Sequence, residues 1–72
     1  MTVFRLEIQS PETAQPRVVA QHLDPAWLKQ RGYEIARSLG DARALWSPEP
    51  GPCAGRLALH CRSGHALTIS HG

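Results

Sequence analysis

Leu57-Ala58-Leu59-His60-Cys61-Arg62-Ser63-Gly64-His65-Ala66-Leu67-Thr68-Ile69-Ser70 decides the fold of this 72-residue chain. On both sides of Arg62-Ser63-Gly64, apolar and polar side chains alternate, which is the period of a strand half-buried against a core. A three-residue turn with Gly64 in the left-handed conformation sets Cys61 opposite His65, Leu59 opposite Leu67 and Leu57 opposite Ile69. The apolar pairs then share one face. Ala58, His60 and Arg62 share the other with Ala66, Thr68 and Ser70. A two-residue turn at Ser63-Gly64 pairs Leu59 with Thr68 and Leu67 with His60, mixing the faces, so the pattern selects the longer turn.

Upstream, Val3 to Gln9 puts Phe4, Leu6 and Ile8 on one face and Val3, Arg5, Glu7 and Gln9 on the other, again a half-buried strand. Ser10 to Pro16 holds two prolines among small polar residues and reads as a loop. Arg17 to Leu23 is expected to pair back on the first strand. Asp24-Pro25 then starts a helix, the carboxylate capping first-turn amides while proline at the first helical position forfeits no needed donor. Leu28, Gly32, Ile35 and Leu39, with Trp27 and Ala36 beside them, form an apolar stripe opposite Lys29, Gln30, Arg31, Glu34, Arg37 and Ser38. Gly32 in that stripe implies close contact between helix and sheet; a break into two shorter helices is the alternative. Gly40 is expected to end the helix as a left-handed cap. Ala42 to Trp46 is predicted as a third strand, and Ser47 to Gly55, with three prolines and two glycines, as an irregular loop. The order strand, strand, helix, strand, strand, strand predicts an α+β fold: one helix packed on one face of a mainly antiparallel sheet of four or five strands.

The length predicts a single domain that buries about 60% of its unfolded surface, too little for an enclosed substrate cavity. At 42% hydrophobic and 19% charged residues the composition is that of a globular protein, without a membrane-spanning apolar run. MTVFRLEIQS alternates where a secretion signal is continuously apolar, so the expected compartment is the cytoplasm. The net charge of +2 is small and the basic residues are scattered; seven of the eight are Arg, a bias that accompanies Ala, Gly and Pro in GC-rich genomes. Cys53 and Cys61 can close one disulfide across a short loop or stay free, and a cytoplasmic chain favours free thiols.

Cys61-Arg62-Ser63-Gly64 resembles the start of the active-site loop of rhodanese-type sulfurtransferases and is similar to that of cysteine-based phosphatases. The resemblance implies a Cys61 thiolate above a cradle of amides at a helix N-terminus. It spans four or five residues; Ala66 stands where rhodaneses carry an arginine, and Leu67 to Gly72 alternate like a strand instead of forming the helix. No catalytic role is therefore assigned to Cys61. Cys53, His60, Cys61, His65 and His71 are metal-type donors, but without paired Cys-x-x-Cys or His-x-x-x-His spacing, and no metal is assigned. Trp27 and Trp46 read as core anchors before they read as a base-stacking surface. With no carboxylate pair at acid–base spacing and no Gly-rich phosphate loop, neither enzyme activity nor a cofactor is expected.

What remains is a small non-enzymatic protein-binding module acting as an inhibitor or adaptor, of the kind bacterial mobile elements and phages encode. Arg5, Glu7, Arg56, His60, Arg62 and Trp46 are the expected partner-facing residues, and a homodimer through a sheet edge or face belongs to the same expectation. The alternative is a nucleic-acid-binding module using Arg5, Arg56 and Arg62 on the open sheet face. A cysteine-loop, rhodanese-like enzyme at Cys61 ranks third.

Overall fold

The computed structural model describes residues 2–13, 15–48 and 56–71. Alternation in the first segment becomes β1 (Phe4–Gln9), and the loop after it leads to β2 (Arg17–His22). Helix α1 (Pro25–Ser38) follows, then β3 (Ser47–Pro48), β4 (Leu57–His60) and β5 (Ala66–His71). One five-stranded antiparallel sheet results, in the order β2-β1-β5-β4-β3, with the single helix packed against it. This is the α+β architecture expected from the hydrophobic pattern. The last strand inserts between β1 and β4, so the first and last strands lie side by side at the centre of the sheet.

The hairpin register is the one the alternation selects. Leu57 pairs with Ile69, Ala58 with Thr68, Leu59 with Leu67 and His60 with Ala66. The Cys61 amide donates to the His65 carbonyl at 2.9 Å and the Gly64 amide to the Cys61 carbonyl at 3.0 Å, closing the turn with Gly64 at φ +94°. On the neighbouring strand, Leu6 stands beside Ile69 and Ile8 beside Leu67, which continues the apolar face from β4 and β5 onto β1. Leu6, Leu59, Leu67 and Ile69 from the sheet and Leu28 and Ala36 from the helix are buried together with Cys61.

Both helix ends follow from the sequence. The Asp24 carboxylate accepts from the Ala26 amide at 3.0 Å, with Pro25 in the first turn. At the other end Gly40 takes φ +88°, its amide donates to the Arg37 carbonyl at 3.0 Å, and the Asp41 amide donates to the Ala36 carbonyl at 2.9 Å. These two bonds make the Schellman closure that a left-handed glycine permits. The helix runs unbroken through Gly32, and the neighbour that requires a glycine there is the indole of Trp46: a Cβ on Gly32 would overlap that ring.

The segment after the helix departs from expectation. Ala42 to Trp46 forms no strand; the third strand is Ser47–Pro48, paired with Ala58 and Leu57 of β4. Two side-chain bonds account for the difference. Asp41 Oδ1 accepts from the Arg43 amide at 3.2 Å and holds a turn at Asp41–Arg43, while Trp46 Nε1 donates to the Lys29 carbonyl at 3.1 Å and draws that residue to the helix. Pro48 lacks the amide needed by a central strand, and it sits on the sheet edge, where none is needed. Trp27 also differs from its expected place in the core: it is 48% exposed and stacks on His22, with ring centroids 4.7 Å apart. The expected second strand ends at His22 rather than Leu23. Cys53, and with it the pairing of Cys53 to Cys61 and most of the Ser47–Gly55 loop, lies outside the described residues. No helix among them is long and apolar enough to cross a membrane.

Candidate functional site

Antiparallel partners share a sheet face, so the register lays out the surface opposite the helix row by row. Arg5 lies between Gln21 of β2 and Ser70 of β5. Glu7 lies between Val18 and Thr68, Thr68 is followed by Ala58, and Ala58 by Ser47. Gln9, Ala66 and His60 form the third row. Arg5 and His60 are exposed, Glu7 is half-buried, and Ala58 is buried. The middle of this face is therefore small and polar, with its charges toward the β1 side.

Of the six residues expected to meet a partner, Arg5, Glu7 and His60 share this face, and Arg56, half-buried just before β4, continues the alternation of Ala58 and His60. Arg62 and Trp46 are elsewhere. Arg62 occupies the β4–β5 turn, where it lines a shallow groove with Asp41, Arg43 and Ala44, and its amide donates to Asp41 Oδ2 at 3.0 Å. Trp46 lies against the helix at Gly32.

Asp41 is a residue that the hydrophobic pattern does not single out. The residue is 7% exposed, and its carboxylate accepts from the Arg43 and Arg62 amides, joining the helix C-terminus to the hairpin turn. No local signal marks it, since Gly-Asp after a helix is common turn chemistry. Its second effect falls on Cys61, a free and buried thiol whose pKa is pushed up, first by burial and then by the negative charge of Asp41. That environment disfavours a thiolate, and the chain beyond Gly64 continues as β5 instead of opening a helix. The geometry thus supplies neither of the two features that activate the cysteine in the loop it resembles. Among the described residues, no three His, Cys, Asp or Glu side chains come together as a metal would require.

A different surface emerges at the β2 edge. Among the described residues β2 has β1 on one side and no strand on the other, and all its residues except Ala20 are exposed. Leu6 pairs with Ala20 and Glu7 with Val18, so Val19 is the extra residue of a β-bulge. Val18 and Val19 are 44% and 42% exposed, and Leu23, just past the strand, is 52% exposed. The stacked pair of His22 and Trp27 follows them, its imidazole fixed where Nδ1 accepts from the Asp24 amide at 2.9 Å. Neither the edge position nor the exposure of Trp27 is visible in a hydrophobic pattern. No protein-family model matches the chain, and no curated protein or solved structure shows significant similarity to it.

Proposed function

We propose that this chain is a small protein-binding module, an inhibitor or adaptor, that captures an extended segment of another protein along the outer edge of β2. The observation that carries the reading is the exposed six-residue edge strand with apolar Val18 and Val19 on it and Leu23 and Trp27 beside it. Strand addition draws affinity from main-chain hydrogen bonds and selectivity from the side chains next to the edge. Apolar residues at an open edge favour such pairing, whereas chains that avoid it place lysine or proline there. An aromatic side chain is also the commonest kind of binding anchor, and Trp27 is held in one orientation by its stack on His22. Arg5, Glu7 and His60 on the open face form a second, more polar surface around the same sheet.

The test is affinity capture from a cell lysate using the intact chain beside Val18→Lys and Trp27→Ala variants. The expected result is a partner retained by the native chain and lost or strongly reduced with Val18→Lys. Equal recovery with all three, or recovery of the bait alone, would count against the reading. Sedimentation of the purified chain separates self-pairing, in which β2 meets a second copy, from capture of a different protein. Retained nucleic acid whose binding falls steeply with salt would instead favour the arginine-based reading.

A further inference from the structure

At the end of the sheet that carries the hairpin turn, β1 lies between β2 and β5, and this brings together two basic side chains 48 positions apart in sequence, Arg17 and His65. Arg17 pairs with Ile8 from one side and Leu67 pairs with Ile8 from the other, with His65 two residues before Leu67. Two strand spacings separate the flanking strands, about 10 Å. The cleft between them has Ile8 in its wall and is lined by Arg17, His65, Gln15 and the hydroxyl residues Ser10 and Thr13.

We propose that this cleft is a binding site for a small oxyanion, the phosphoryl or carboxylate head of a ligand. Its lining is rich in donors and contains no carboxylate among the described residues: Glu12 lines the adjoining depression with Pro11 and Gly64. Among the described residues Arg17 makes no ion pair, whereas Arg31 on the helix is paired with Glu34. A guanidinium presents two parallel N–H donors matched to the oxygens of such a head. Ser63 Oγ and His65 Nδ1 share a hydrogen bond of 2.7 Å; where Ser63 is the donor, Nε2 of the ring is left as an N–H donor. The hydroxyls of Ser10 and Thr13 are 3.0 Å apart, and one of the two protons stays available after they bond to each other. Guanidinium, imidazole, hydroxyl and carboxamide donors around an open cleft, with one apolar wall, suit an anion held by hydrogen bonds and one fixed positive charge. The site does not depend on strand addition at β2.

Titration of the full chain with inorganic phosphate and, separately, with acetate, at ionic strength fixed with chloride and followed through backbone amide shifts, tests it. Saturable shifts centred on Ser10, Thr13, Arg17 and His65 are expected with at least one of the two, and whichever binds more tightly identifies the head group. Arg17→Ala, at an exposed position, should weaken that binding about tenfold, the loss of a charge-assisted hydrogen bond. The His65→Asn variant should weaken it as well, while dispersed spectra confirm that both variants fold. Absence of saturable shifts with either anion, or binding unchanged by Arg17→Ala, would overturn the proposal.

Discussion

Gly32 carries an unusual requirement for a helical glycine. In an open helix, replacing it by alanine gains about 1 kcal/mol of propensity. Here the added methyl group meets the indole of Trp46, which is tied to the Lys29 carbonyl and is not free to swing away. Gly32→Ala should therefore destabilise the fold by about 1–3 kcal/mol, an overpacking cost. Urea unfolding checks the sign, and a Trp46→Leu background should return Gly32→Ala to neutral or favourable. Cys61 makes a second prediction at this scale. Its thiol is held protonated by burial and by Asp41, so the folded chain loses its proton at higher pH than the unfolded chain. Its contribution to stability is complete below the ordinary thiol range, about pH 8.5, and is lost as pH rises through the elevated folded value. The urea midpoint should fall between pH 7 and the alkaline range by more in the native chain than in Cys61→Ala. Alkylation near neutral pH should be slower for the folded chain than for the urea-unfolded one.

The helix illustrates how local chemistry defines an element and tertiary contacts decide what it touches. Asp24-Pro25 at its start and Gly40 after its end were both legible because each supplies a specific need of the terminal backbone. Gly40→Ala places a Cβ in open space but in a left-handed backbone, so the cost should be conformational alone, about 1–2 kcal/mol. Thermal unfolding measures it, and Gly40→Asn should recover part of the loss because asparagine tolerates that conformation. The apolar stripe was legible in outline: Leu28 and Ala36 are buried, and Ile35 and Leu39 half-buried. Trp27 was not, since periodicity shows which side of a helix faces inward without showing where the sheet beneath it ends. Past the helix, ARALW alternates as a strand would, yet Asp41 and Trp46 turn it away from the ladder. One local side-chain bond at Asp41 and one long-range bond from Trp46 outweigh a weak strand preference.

For the whole molecule, the order β2-β1-β5-β4-β3 places the first and last strands side by side inside the sheet and β2 and β3 at its edges. Amides of β1 and β5 that bond across to a neighbour are screened by strands on both sides. Among the described residues, β2 and β3 each have a strand on one side only. Hydrogen exchange should accordingly be slowest in Leu6, Leu67 and Ile69 and faster in β2 and β3; uniform protection across all five strands would contradict this topology. The same arrangement exposes Val18 and Val19 and creates the β2 edge, and it brings Arg17 and His65 into one cleft with Ile8 in its wall.

Alternation along Val3 to Gln9 and through the final hairpin, together with Gly64, Asp24 and Gly40, determined by itself the strands, their faces, the turn register and both helix ends, because each depends on residues near one another in the chain. Arg5, Glu7 and His60 could be assigned to a common sheet face for the same reason. The tertiary structure alone decided that the last strand enters beside the first, that Asp41 is buried beneath the hairpin turn, that Trp46 seats on Gly32 while Trp27 stays outside, and that β2 keeps an open edge. Those outcomes depend on which distant surfaces pack together, and the spacing of apolar residues carries no record of the neighbour each one finds.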